Sequence, residues 1–264
     1  MRIGAVSYLN TKPLVYGLDA AHADYDLVFD LPSRLADDLS AGKLDVALIP
    51  SIEFFRNPEY TIVSDACIGC RGPVLSVKLL SRVPMHKIRT LALDEGSRTS
   101  VALVRILLQQ RLGLTPELHP FPIGSSLEDI TTDAALLIGD RAMHLPATGF
   151  VEQWDLGDHW CRWSELPFVF AMWVARSSLT VGRLSDVLAI ARDAGVNHLD
   201  EIARVEAPLV GLTERECREY FVDNLHFYLG ERERQGLEMF YQHAVELDLA
   251  PAGREIRFDD CTTS

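Results

Sequence analysis

The chain has 264 residues, 48% hydrophobic and 24% charged, an ordinary globular balance that needs no disulfide or metal to hold its core. Its formal net charge of −13 excludes nucleic acid and anionic membrane surfaces as partners, because both demand clustered Lys and Arg. The same charge repels any anionic ligand, so a binder of anions built on this chain needs a local attractive device.

Strand-like and helix-like stretches alternate from the start. Arg2–Val6 is a short apolar strand, and a helical signal follows Asn10, with Pro13 in its first turn. The opening MRIGAVSYLN is too polar for a secretory signal, which needs about 7–15 central apolar residues. With no run of about 18 apolar residues either, a cytoplasmic protein is expected. Tyr25–Leu31 reads as a strand, Ser33 as a helix cap, and Gly42 as the left-handed residue that closes that helix. Asp45–Ile49 is a near-continuous apolar run, as in a buried parallel strand. Cys67 and Cys70 form a lone C-x-x-C, a weak zinc or redox signal that reads better as two thiols buried in a strand. The five cysteines, with Cys161, Cys217 and Cys261, make no disulfide framework.

From Thr90 the pattern repeats: a strand at Thr90–Leu93, then a helix over Thr99–Arg111 ended by Gly113. Further strands lie at Ala134–Ile138 and Phe168–Ala175. The rest reads as helices at about Ser185–His198, Thr213–Leu225 and Glu231–Leu249, with Thr213 and Glu216 forming a capping box. Alternation of this kind predicts an α/β protein with largely parallel sheets. A helical tail without strands of its own should return to the first lobe. The expected division is therefore a discontinuous lobe, residues 1–88 plus 177–264, with a second lobe, residues 89–176, inserted in it. The crossings fall near Arg82–Arg89 and Ala175–Leu179, and the ligand cleft lies between the lobes.

In such sheets ligands sit beyond the carboxyl ends of strands. Four strands here run into small polar residues: Ser7 to Thr11, Pro50 to Glu53, Asp94 to Ser100, and Gly139 to Arg141. Backbone N–H groups at helix starts attract carboxylates without net positive charge. Ser7, Asn10, Ser51, Ser76, Thr99, Ser100 and Asp140 are expected to line the cleft, with anion capture near Ser97–Ser100. Ser51 and Ser97 serve equally as helix caps, and Arg98 reads as a carboxylate partner or as a solvated charge. The eight histidines lack metal-binding spacing. Glu53 and Asp140 are candidate carboxylates, each also placed for a structural hydrogen bond, and His144 and His159 read as ordinary surface or core residues.

Several blocks resemble one family. Ser7-Tyr8-Leu9-Asn10-Thr11-Lys12-Pro13-Leu14 is similar to the opening of the chorismate dehydratases of the futalosine route to menaquinone. The resemblance continues through Asp45–Glu53, Gly72–Val77, Ser97–Leu103, Ala135–Asp140 and Trp163–Ala171, in family order over about residues 1–175. It implies the two-lobed, type II periplasmic-binding-protein-like fold and a hydro-lyase that converts chorismate to 3-[(1-carboxyvinyl)oxy]benzoate and water, with no metal or organic cofactor. On that reading Asn10 and Asp140 are the catalytic candidates, with Asn10 at the leaving hydroxyl. Ser7, Ser51, Ser76, Ser97, Arg98, Thr99, Ser100 and Gly139 bind substrate, and the substrate's own enolpyruvyl carboxylate is the favoured base. The partner is then a small carboxylate, not nucleic acid or membrane, and no signal of oligomeric state is visible. The alternatives are the naphthoate-forming sister enzyme of the same pathway, a non-catalytic solute-binding protein for a small carboxylate, and a ligand-sensing domain.

Overall fold

Apolar runs form the strands and amphipathic stretches the helices of the computed structural model, which describes residues 1–18, 25–144, 149–179 and 182–256. In chain order come β1 (Arg2–Val6), a 3₁₀ helix (Leu9–Val15), β2 (Asp26–Asp30), α1 (Pro32–Ser40), β3 (Val46–Pro50), α2 (Ser51–Arg56) and β4 (Tyr60–Cys70). Next are β5 (Val77–Ser81), β6 (Thr90–Asp94), α3 (Arg98–Leu112), β7 (Glu117–Phe121), β8 (Ala134–Ile138) and β9 (Glu152–Asp155). The chain continues through α4 (Leu156–Ser164), β10 (Phe168–Arg176), α5 (Leu184–Asn197), α6 (Leu199–Glu206), α7 (Glu214–Glu219), β11 (His226–Tyr228) and α8 (Glu231–Glu246).

Two mixed sheets result. The first has the order β11-β4-β10-β3-β1-β2, with β1 parallel to β2 and β3, and β10 antiparallel to β3 and β4. The second has the order β7-β6-β8-β5-β9, with β6 parallel to β7 and β8. Strand membership corrects the expected division of the chain. β5 belongs to the second sheet, paired from Val77 with Ile138 to Ser81 with Ala134. β10 lies in the middle of the first sheet, between β4 and β3. It is buried along all but its last residue, so it needs strands on both edges and cover on both faces, which the larger sheet supplies. The chain therefore crosses between sheets at 71–76 and again at 156–167, not at 82–89 and 175–179. The tail packs on the first sheet and is not purely helical, because β11 adds an edge strand to β4.

Local signals fare unevenly. Ser97 caps α3, its Oγ accepting the Ser100 N–H, and Gly113 closes that helix at φ 66°. Thr213 and Glu216 form the capping box at α7. Gly42 is left-handed at φ 73°, but Ser33 does not cap, because Pro32 starts α1 and Leu31 holds the cap position. Cys67 and Cys70 are buried thiols on β4, and Cys261 lies outside the described residues. No helix among the described residues is long and apolar enough to cross a membrane.

Two packing features position the cleft. An aromatic cluster backs one wall: Phe168 lies 5.2 Å from Trp160, 5.1 Å from Phe240 and 4.6 Å from Phe170, centroid to centroid. On the other side the 3₁₀ helix presses on α5 at Gly195, where a Cβ would collide with the Pro13 carbonyl. Only a glycine allows that approach, and it seats the turn that carries Asn10. Gly195→Ala is expected to lower stability by about 1–3 kcal/mol, the usual overpacking cost, read as a lower midpoint in urea unfolding at unchanged m-value.

Candidate active site

β1, β3 and β8 end at one cavity between the two sheets, and α3 begins there. The open space there, part of it continuous with solvent, is about 460 Å³. The polar lining comes from Tyr8 and Asn10 after β1, Ser76 on the first crossing, Ser97 and Ser100 at the start of α3, and Gly139 after β8. Apolar walls come from Val6, Ile68, Val74, Ile138 and Phe170. Among the described residues that line it there is no Asp, Glu, His, Lys or Arg.

Neutral donors replace the missing cations. The Arg98 and Thr99 N–H groups open α3 and have no carbonyl a turn earlier in the helix, so the positive end of a 15-residue helix lies beside the cavity. Ser97 Oγ and Ser100 Oγ hydrogen-bond each other at 3.0 Å. One hydroxyl donates to the other, which leaves one proton for a ligand. Burial, helped by the nearby Asp94, holds the Tyr8 phenol well above its ordinary pKa of 10, so it stays a neutral donor. Its ring lies on Gly139, where a Cβ would sit 2.8 Å from Tyr8 Cε1 and the backbone adopts φ 68°, ψ −158°. Both facts require glycine at this position.

The residues expected at the site divide into two sets. Asn10, Ser76, Ser97, Ser100 and Gly139 line the cavity. The others make contacts within or between the sheets. Ser7 is exposed and its N–H donates to the Asp30 carbonyl at 3.0 Å. Ser51 is fully buried and donates to the Val169 carbonyl at 2.6 Å; Pro50, not Ser51, holds the cap position of α2. Thr99 Oγ1 accepts the Ile52 N–H at 3.2 Å. Arg98 makes a two-pronged bond to Asp37 at 2.8 and 2.9 Å and reaches Glu53 at 3.2 Å. Asp140 accepts the Leu9 N–H at 3.1 Å. The Thr99, Arg98 and Asp140 contacts each join one sheet's elements to the other's, as does the bond from Ser33 N–H to the Gly96 carbonyl at 3.2 Å. These motif residues clasp the cleft. Outside the cavity, His144 bonds the Val210 carbonyl, and His159 stacks on Trp154 at 4.2 Å. Tyr8, although inside the opening motif, and Phe170, inside an apolar strand run, are cavity residues that the sequence reading did not assign.

A family model described as menaquinone biosynthesis matches residues 1–246. The chain belongs to that family. The chorismate dehydratase of Thermus thermophilus is 30% identical over 94% of this chain and 96% of its own length. The chorismate dehydratase of Campylobacter jejuni is 26% identical over 95% of this chain and 100% of its own. Among solved structures, a protein of Archaeoglobus fulgidus superposes with a TM-score of 0.76 at 16% identity, covering 94% of this chain and 97% of its own. The alkanesulfonate-binding protein of Xanthomonas axonopodis gives 0.61 at 11% identity, covering 95% and 94%. A Candida albicans protein described as having the periplasmic binding protein fold gives 0.54 at 10% identity, covering 99% and 98%. This family member therefore has that two-lobed α/β fold.

Asp140 supplies a pH test of the clasp. Burial raises its carboxyl above the ordinary value, against the Leu9 N–H and Lys12, which lower it. A folded pKa above the unfolded one means that the folded state binds the proton more tightly, so stability falls as pH rises through the window from the ordinary carboxylate value up to the raised one. Asn in this place still accepts the Leu9 N–H and carries no charge. The stability of wild type relative to Asp140→Asn is expected to fall between pH 3.5 and pH 7, read by denaturant unfolding at about those two values. A constant difference between the two proteins would refute the assignment.

Proposed function

We propose that the chain is a chorismate dehydratase that converts chorismate to 3-[(1-carboxyvinyl)oxy]benzoate and water in its interlobe cavity. The observation that carries this reading is a cavity of neutral donors at the start of α3, in a chain whose Thermus thermophilus relative is a chorismate dehydratase at 30% identity. Chorismate is a dianion, and helix N–H groups with serine hydroxyls bind carboxylates without a cation. The ring carboxylate lies on the first turn of α3, against Ser97 and Ser100.

The C3 hydrogen of chorismate is acidic because its anion delocalises through the ring alkene into the carboxylate. The enolpyruvyl carboxylate of the substrate takes that proton, in keeping with a cavity whose described lining has no Asp, Glu or His. The C3–H electron pair becomes the new ring double bond as the C4–O bond breaks, and the departing oxygen leaves with the proton as water. Asn10 donates to that oxygen while negative charge builds on it. Aromatisation drives the reaction, so the protein's task is to orient the dianion and stabilise charge. Tyr8 and Phe170 close the cavity around the ring.

Incubation with chorismate, followed by chromatography for the aromatic product, tests the reading. Asn10→Asp is expected to keep near-normal thermal stability and lose turnover by about 100-fold or more, the usual consequence of removing a donor aimed at developing charge. The carboxylate would also set a negative charge beside a dianion. Binding of chorismate without conversion by wild type would make the chain a solute-binding protein instead.

A further inference from the structure

One carboxylate ties the two chain crossings together beside the cavity. The first crossing ends in a three-residue turn, in which the Ser76 N–H donates to the Val74 carbonyl at 2.7 Å. Leu75, at its centre, has φ 62°. A bond between residues two apart around a centre of positive φ is the rare, strained form of γ-turn. For a leucine that conformation is sterically disfavoured, and it persists only where the surroundings impose it.

Asp155 imposes it. This residue ends β9, where the second crossing begins. Its Oδ1 accepts the Val74 N–H at 2.9 Å, and its Oδ2 accepts the Leu75 N–H at 2.7 Å. Backbone N–H groups only donate and an ionised carboxylate only accepts, so these bonds have one possible direction. Asp155 also caps α4, Oδ1 accepting the Asp158 N–H at 3.1 Å. A cap needs one such bond; the other two reach back 81 and 80 residues to the turn. The start of α4 closes on the same segment at Gly157, where a Cβ would lie 2.8 Å from the Gly72 carbonyl oxygen. The turn in its place delivers cavity residues, since Val74, Ser76 and Val77 all line the cavity. The Ser76 carbonyl accepts the Gly139 N–H at 2.9 Å, so the turn also sets the position of the glycine under the Tyr8 ring. Asp155 itself stands outside the cavity lining.

We propose that Asp155 is a positioning residue for the dehydration: its carboxylate holds the Leu75 turn in its strained form and so places Ser76 against the substrate. The inference rests on the reading of the cavity as the chorismate site. Without the carboxylate, Leu75 relaxes toward negative φ, and its neighbours Val74 and Ser76 turn away from the cavity. A displacement of about 1 Å in a substrate-positioning group costs up to about 100-fold in rate.

Asp155→Ser separates the two duties. Serine caps a helix as well as aspartate does, but its shorter side chain leaves the turn N–H groups without their acceptor. kcat/KM with chorismate is expected to fall by about tenfold or more. Glycine takes positive φ freely, so adding Leu75→Gly removes the strain and is expected to restore most of the lost activity. A merely structural loss would deepen with that second truncation. Asp155→Asn keeps an oxygen for the cap and for Val74 but turns an N–H toward Leu75; it should fold even if the serine variant does not, and show a smaller loss of the same kind. Amide hydrogen exchange reads the turn without the reaction. In Asp155→Ser the Leu75, Ser76 and Gly139 amides should lose protection, while the Asp158 amide at the cap keeps it. Wild-type kcat/KM in the single variants, no recovery in the double variant, or unchanged protection of Ser76 and Gly139 overturns the proposal. If wild type itself fails to convert chorismate, the functional reading falls, and exchange decides on Asp155: equal protection in both proteins overturns its hold on the turn, and loss at Ser76 and Gly139 alone supports it.

Discussion

On the proposed function an acidic chain must accept a dianion, a repulsion that needs a local answer, and the cleft offers dipoles rather than cations. The cationic groups nearest the cavity are engaged with carboxylates. Arg98 is held by Asp37 and Glu53, Lys12 by Glu206 at 3.1 Å, and Arg141 by the buried Asp94, to which its Nε lies at 3.0 Å. Arg141 also stacks on Phe121, 4.7 Å from the ring centre. A guanidinium in the cavity would bind carboxylates more strongly, but it would also stabilise substrate and product alike. Neutral donors fixed at a helix start lose no reorganisation energy when charge moves. The ion pairs instead serve closure: Arg98 reaches from the second lobe to α1 and α2 of the first.

Closure and chemistry thus share one set of sequence blocks. In Ser97-Arg98-Thr99-Ser100, the outer and inner pairs have different duties. Ser97 and Ser100 face the cavity, while Arg98 and Thr99 clasp the first lobe. The opening block behaves the same way. Asn10 and Tyr8 face the cavity, and the Leu9 N–H between them holds Asp140 across the cleft. Successive residues on a helical turn point about 100° apart, so one short block can serve both surfaces. The packing behind each block then matters as much as the block. Gly195 seats the 3₁₀ helix, Gly139 admits the Tyr8 ring, and the Trp160–Phe168–Phe240 cluster fixes the strand that carries Phe170.

Periodicity made much of this legible. The buried strands β3 and β8 stand out as continuous apolar runs, and α3 as a periodic helix between Ser97 and Gly113. Cavity residues at strand ends followed from the α/β rule, and five of them line it. Sheet membership did not follow, because an apolar run such as β5 or β10 fits the centre of either sheet; only its pairing partners decide, and these lie far along the chain. The roles of Ser51, Thr99 and Arg98 were hidden for the same reason. Their partners stand 118, 47 and 61 residues away, and a serine or arginine looks alike whether it meets a ligand or a backbone carbonyl. β11, three residues long, is too short for any period to register.

A crystal structure with the aromatic product bound tests the central claim most directly. The account predicts a product carboxylate on the first turn of α3, with its oxygens about 3 Å from backbone N–H groups and from the Ser97 or Ser100 hydroxyl, while Arg98 stays on Asp37 and Glu53 and Arg141 on Asp94. A guanidinium released from those partners and bonded to the product carboxylate, or a product lying outside this cavity, would contradict it.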